Sequence, residues 1–335
     1  MIPELDVWAS ALEDAIARDI DDEPSYQVWS DYLMEAGDPL GEVIAMWLAI
    51  EDERDPARRA LLRETASATQ ARLVADVIAR VPGAADVQTD LVFRNGLVRR
   101  LTLALPAPER QQRRVAADVL AAVLGCSSGR ALRELYVDNH AFRACAAVLE
   151  RSAPRALVAL VADGRWRVDD ALGRDVGPAA PDLRIQPLGV LPRLSWLSLG
   201  SIGADFTGAE LRSCRELLVN ASHPPSLDTL GDASLPALEK LTIASNALDP
   251  LTSASSISST RELVGPSQAS TLADALARWP ALRSIEVGEG LLGLAERCAE
   301  RVPRLEELAI PRPAAYRKKL VKLRPGLRIV ARTVA

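Results

Sequence analysis

The residues best suited to chemistry are few. Four carboxylates, Asp31, Glu35, Asp38 and Glu42, crowd one short stretch, and carboxylates grouped this way can hold a divalent cation or share acid–base work. The same four fit a plainer arrangement, in which Asp38 caps the helix that follows and Gly41-Glu42 lies in its first turn. The lack of a nearby His or Cys favours that arrangement. Only two histidines exist: His140 follows Asp138-Asn139 at a predicted strand end, and His223 precedes Pro224-Pro225. Neither has triad or metal-ligand spacing. The four cysteines, Cys126, Cys145, Cys214 and Cys298, form no CxxC pair. Cys214 and Cys298 fall on apolar positions of a repeat, where a thiol acts as a small hydrophobe. No GxSxG elbow, GxxxxGK[ST] loop or GxGxxG turn is present, and such motifs would be needed for the commoner nucleophilic or phosphate chemistries. These observations predict a non-enzymatic protein with no metal and no cofactor.

Composition narrows the class further. A net charge of -5 over 335 residues disfavours a general phosphate-backbone binder, so no nucleic-acid partner is expected. Met1 to Pro24 is acidic and lacks a basic segment followed by an apolar run, and no apolar run approaches the ~18 residues of a membrane span. With unpaired cysteines, this predicts a reduced, cytoplasmic protein away from membranes. A basic run, Arg317, Lys318, Lys319, Lys322 and Arg324, suits either an anionic docking site or the polar face of a terminal repeat.

The elements that would position a site follow from one recurring spacing. Apolar triplets of the form LxxLxL occur at Leu194, Leu197, Leu199; Cys214, Leu217, Val219; Leu238, Leu241, Ile243; Leu282, Ile285, Val287; and Leu305, Leu308, Ile310, with a weaker one at Thr260, Leu263, Gly265 and a terminal Leu327, Val330. Successive first anchors step by 20, 24, 22, 22, 23 and 22 residues, inside the 20–29 residue period of leucine-rich repeats. In LxL the two apolar residues point to one face of a strand and the residue between them to the other. Each repeat thus supplies one short strand and a return, and neighbours must stack to bury the leucines. Ala269 to Trp279 and Leu291 to Val302 have the spacing of helical returns. Pro236, Pro280, Pro303 and Pro325 each sit just before a first anchor, where a helix must stop.

Upstream, Asn95-Gly96 between apolar alternation predicts a hairpin. Val98, Leu101, Leu103 then begins the ladder, Glu109 to Leu124 supplies its first return, and Leu132, Leu135, Val137 and Leu157, Leu160, Ala162 continue it. Between Asp163 and Pro192 the register blurs, with Trp166 and Val168, then Leu183 and Ile185, suggesting one degenerate repeat. The N-terminal part reads as four helices: Leu5 to Asp19, Ser25 to Glu35, one from Leu40, and one beginning after the cap and first-turn proline Asp55-Pro56. Trp29, Tyr32 and Trp47 would fill their core. The expected architecture is α/β: a small all-α domain over 1–85, then a leucine-rich-repeat solenoid over 86–335 with an N-terminal hairpin cap and a C-terminal cap.

The run Asp22-Glu23-Pro24, Tyr26, Trp29-Ser30-Asp31-Tyr32-Leu33 and Glu35-Ala36-Gly37-Asp38-Pro39-Leu40-Gly41-Glu42-Val43-Ile44 resembles the bacterial repeat-companion domain family, whose members show a DEP segment, a YADWLEE-like helix and a GDPRGEFI-like turn. Here the Ala-Asp-Trp order is altered and Leu40 replaces the usual Arg. The resemblance covers about Leu5 to Ile50. It implies a helical domain set before leucine-rich or related repeats, often with an RGF-like strand between, echoed by Phe93-Arg94-Asn95-Gly96-Leu97, and it implies no catalytic activity.

If the triplet leucines face inward, the alternating residues form the opposite face: Glu134, Tyr136, Asp138, Trp196, Ser198, Glu216, Leu218, Asn220, Lys240, Thr242, Glu262, Ser284, Glu286 and Glu307. In a solenoid this is the concave sheet face, suited to a protein partner. Tyr136, Trp196 and Leu218 would be its apolar anchors, and Glu262, Glu286 and Glu307 give it an acidic lean suited to a basic partner surface. The sequence therefore predicts an interaction scaffold or adaptor. The alternative is a regulatory or specificity subunit of a larger bacterial enzyme or defence-type complex.

Overall fold

The computed structural model describes residues 11–12, 14–16, 18–19, 22–106, 109–163, 183–199, 202–221, 224–244, 264–288, 290–311 and 313–332. The protein is mixed α/β with a large, mostly parallel sheet. By packing it divides into two compact units, Met1–Leu160 and Val161–Ala335.

The first unit begins with helices whose ends are written in local chemistry. Helix α1 (Glu23–Glu35) has a proline in its first turn and stops before Gly37, which takes a left-handed φ of 72°. Asp38 Oδ1 then accepts the Leu40 N–H at 2.9 Å and opens α2 (Leu40–Asp52). Asp55 caps α3 (Pro56–Ala79) by accepting the Ala57 N–H at 2.9 Å. Tyr26, Trp29 and Leu33 of α1 and Leu40, Val43 and Ile44 of α2 bury together with Ile16, Leu97 and Ala131. Trp29 stacks on Tyr32 with centroids 5.6 Å apart, and Trp47 Nε1 donates to Gln70 Oε1 at 2.9 Å. All three rings thus build this core.

The hairpin follows, β1 (Gln88–Arg94) antiparallel to β2 (Leu97–Ala104), closed by Asn95 and Gly96 at φ 50° and 82°. Two positive φ values are what a tight Asn-Gly hairpin turn requires. The tip lies close under α2, since a Cβ on Gly96 would come 3.0 Å from Val43 Cγ1. β2 pairs in parallel with β3 (Glu134–Asp138) across α4 (Arg110–Gly125), whose Val115, Val119, Leu120 and Val123 are buried. α5 (Asn139–Ser152) then leads to β4 (Ala159–Asp163).

One local irregularity decides where a charge goes. Val92 pairs with Arg100 but Phe93 pairs with Val98, so Arg99 is an extra residue, a β-bulge. Its side chain is buried, donating to the Ala131 carbonyl at 3.3 Å and to the Tyr26 hydroxyl. Burial holds the Arg99 pKa below its ordinary value.

The second unit is a ladder of short parallel strands: β6 (Trp196–Leu199), β8 (Glu216–Asn220), β9 (Lys240–Ala244), β10 (Ser284–Val287), β11 (Glu307–Ile310) and β12 (Arg328–Ala331), in that order. Leu197, Leu217, Leu241, Ile285, Leu308 and Ile329 lie side by side in register, none more than 4% exposed. Helices α6 (Pro224–Leu230), α7 (Pro266–Leu276), α8 (Leu292–Arg301) and α9 (Pro313–Leu323) return the chain. α7 and α8 bury the apolar faces that their spacing predicts, including Leu272, Leu276, Leu294 and Cys298. A separate parallel pair joins β5 (Leu183–Arg184) to β7 (Ala204–Asp205), so Leu183 is not part of the main ladder. Trp166 and Val168 lie outside the described residues.

The triplet expected at Thr260, Leu263, Gly265 supplies no rung. β9 and β10 are direct hydrogen-bonded neighbours, with Lys240 opposite Ser284 and Ile243 opposite Val287. Thr260 and Leu263 lie outside the described residues, while Gly265 is the N-cap of α7 and Pro266 its first residue. A threonine and a glycine at anchor positions offer too little apolar area to hold a strand in the row.

Candidate interaction face

The alternating residues beside the buried rows make two sets, one in each unit. In the first, Arg100 opposes Glu134 and Thr102 opposes Tyr136. The Arg100 guanidinium binds the Glu134 carboxylate through Nε and Nη2, both at 2.6 Å from Oε2, and lies 5.1 Å from the Tyr136 ring centroid. The hydrogen bond to Glu134 raises the Arg100 pKa, while burial pushes the Tyr136 phenol up. Both groups therefore keep their protons at neutral pH. Asp138 departs from the expectation of an exposed residue: it is 3% exposed and its Oδ1 accepts the His140 N–H at 2.9 Å. The chain enters α5 directly after β3, so this alternating position becomes a helix cap.

In the second unit the first column runs Trp196, Glu216, Lys240, Ser284, Glu307, Arg328, and the next runs Ser198, Leu218, Thr242, Glu286, Ala309, Val330. Trp196 is 38% exposed, and Glu216 and Lys240 beside it are exposed as well. Leu218 is half-buried. Ser198 and Thr242, expected to be open, are buried. They stand opposite the longer Leu218 on the two strands that flank β8. Asn220, also expected on this face, is 0% exposed at the end of β8, where the Ala221 N–H extends the ladder by donating to the Ala244 carbonyl at 2.7 Å. Glu262 lies outside the described residues.

The acidic lean is largely cancelled. Glu307 pairs with Arg328 and accepts the Ser284 hydroxyl at 3.4 Å. Glu286 Oε1 lies 2.9 Å from Arg332 Nε, with side chains only 15% and 13% exposed. Arg332 reaches past β11, where the residue opposite Glu286 is Ala309, too short to block it. Arg100, Arg328 and Arg332 are the partners that sequence reasoning passed over. Extending the triplet register to the hairpin strand finds Arg100. At the other end the expected anchors Leu327 and Val330 are one residue out of step, since Ile329 lies opposite Leu308 and Val330 opposite Ala309, which brings Arg328 onto the face; nothing local marks Arg332.

The chemistry-bearing residues are otherwise accounted for. Asp31, Glu35 and Glu42 are exposed, and Asp38, besides capping α2, accepts a hydrogen bond from the Ser127 hydroxyl. Asp38→Ala is expected to cost about 1 kcal/mol through loss of the cap, read as a lowered urea midpoint with unchanged slope. Burial pushes the thiols of Cys145, Cys214 and Cys298 up to about 12, so they stay protonated at neutral pH. On α9, Arg317 bonds the Ile329 carbonyl at 3.1 Å, Arg324 binds the carbonyls of Val302 and Pro303, and Lys319 pairs with Glu296. These contacts spend much of the basic run on tying down the last strand and helix. Among the described residues no group of three or more His, Cys, Asp or Glu could hold a metal, and no helix is long and apolar enough to cross a membrane. His223 lies outside them. No family model matches this chain, and no curated protein matches it.

Proposed function

We propose that the chain is a non-enzymatic interaction scaffold: a repeat-companion-like helical segment followed by a leucine-rich-repeat solenoid whose sheet face captures a protein partner. The observation that carries this reading is the cluster Trp196, Glu216, Lys240 and Leu218. It combines a large exposed aromatic, a half-buried aliphatic and two opposite exposed charges on three adjacent strands. Aromatic side chains set among aliphatic and charged neighbours are the usual anchors of protein interfaces. The in-register parallel rows with intervening helices support the solenoid part of the reading. Because Glu134, Glu286 and Glu307 are already paired, the partner need not be basic. It must instead offer an apolar pocket for the indole, with charges complementary to Lys240 and Glu216.

Trp196→Ala is expected to cost about 1–2 kcal/mol of stability through loss of the buried part of the ring, leaving the chain folded. In a pull-down from the native host followed by quantitative mass spectrometry, it should weaken partner capture roughly 30-fold, or about 2 kcal/mol. Undiminished capture by the folded variant rejects the assignment of this face.

A further inference from the structure

β1 ends the strand order, pairing only with β2. Among the described residues, no backbone hydrogen bond reaches its other edge. Open edges in natural sheets are kept from pairing by short length, a lysine, a proline or a bulge in the edge strand itself. β1 is seven residues long and reads Gln-Thr-Asp-Leu-Val-Phe-Arg, without lysine or proline, and the bulge beside it lies in β2; its two exposed charges, Asp90 and Arg94, are of opposite sign. β12, an outer strand of the second unit, shows the contrast in length, being only four residues long. On β1, Val92 is 43% exposed and Leu91 and Phe93 are half-buried.

The strand is also complementary to itself. Asp90 and Arg94, both exposed, stand two residues to either side of Val92. In an antiparallel pair with a two-fold axis through Val92, valine meets valine, Leu91 meets Phe93, and Asp90 meets Arg94 twice. Neighbouring registers lose this match. An axis at Leu91 sets Asp90 against Val92 and Arg94 against Gln88, and an axis midway between Leu91 and Val92 sets Asp90 against Phe93. The Val92 register keeps the three exposed residues on one face, as the pleat demands.

We propose that β1 is the contact between two copies of this chain, an isologous antiparallel strand pair centred on Val92. The inference stands apart from the partner-binding reading, because none of its residues belongs to the Trp196 cluster.

Sedimentation equilibrium of the full chain over a concentration series tests it. The wild type is expected to show a concentration-dependent monomer–dimer equilibrium. Asp90→Arg and Arg94→Asp each place like charges at both ends of the pair and should weaken association about tenfold or more. An equimolar mixture of the two variants should regain the dimer, since each then meets the opposite charge. Val92→Lys, which puts like charges on the axis at an exposed site, should also weaken the dimer and serves if either reversal fails to fold by circular dichroism. A wild type that stays monomeric throughout its soluble range, or a dimer as tight in the folded variants as in the wild type, overturns the proposal.

Discussion

Gly41→Ala is expected to destabilise the first unit by about 3 kcal/mol, although helix propensity by itself predicts the opposite sign. Gly41 is the second residue of α2, and alanine is worth about 1 kcal/mol more than glycine inside a helix. A Cβ here, however, would lie 2.7 Å from Met34 Cγ, 2.7 Å from the Met34 nitrogen and 2.7 Å from the Ser30 carbonyl oxygen. Two of these three atoms are backbone of α1, so no rotamer change removes the overlap, and the helices must move apart. That movement also strains the buried bond from the Ser30 hydroxyl to the Gly41 carbonyl, 2.7 Å long, whose loss costs about 1–3 kcal/mol. Gly125→Ala is the control, since a Cβ there meets nothing within 4 Å. Urea unfolding should show a lower midpoint for Gly41→Ala and an unchanged or higher one for Gly125→Ala. Equal midpoints for the two variants would refute the close crossing of α1 and α2.

Leu241→Ala should cost about 3–5 kcal/mol, the largest loss expected from a single truncation in the second unit. Leu241 is 0% exposed and lies between Leu217 and Ile285 on strands paired to both sides of β9. A cavity there has packed walls and nothing free to collapse into it. Ile329→Ala, in the same row on β12, should cost less, about 2 kcal/mol, because only β11 flanks it. Urea unfolding of both variants gives the comparison. If Leu241→Ala proved no worse than Ile329→Ala, the row would not be packed as a continuous stack.

Much of the local architecture is readable from the order of residues. Asp55-Pro56 and Gly37-Asp38-Pro39-Leu40 mark helix ends because a cap and a turn involve residues only one to a few positions apart. Asn95-Gly96 marks the hairpin for the same reason, as few other pairs tolerate both positive φ values. The LxL alternation at Leu197, Leu217, Leu241, Ile285 and Leu308 marks strands, because period two is intrinsic to an extended chain. The pattern along the chain changes near residue 85, yet Leu97 and Ala131 pack in the same cluster as Trp29 and Ile44. Periodicity can show that a face is apolar without showing which neighbour covers it.

The candidate face was legible as a set of positions and not as an environment. Spacing selects Trp196, Leu218 and Lys240, and it equally selects Asp138, Asn220, Ser198 and Thr242, all four of which are buried. It counts Glu286 as surface charge, although Arg332, 46 residues away, pairs with it at 2.9 Å. It also counts Thr260 and Gly265 as anchors, where β9 and β10 close directly on each other. Strands, caps, turns and inward rows are written in the linear chain, because all of them come from short-range covalent geometry and apolar periodicity. Which outward residues stay open, and which charges are already answered, is settled by folding. Exposure and pairing depend on side chains that the stacking of distant segments brings within a few ångströms.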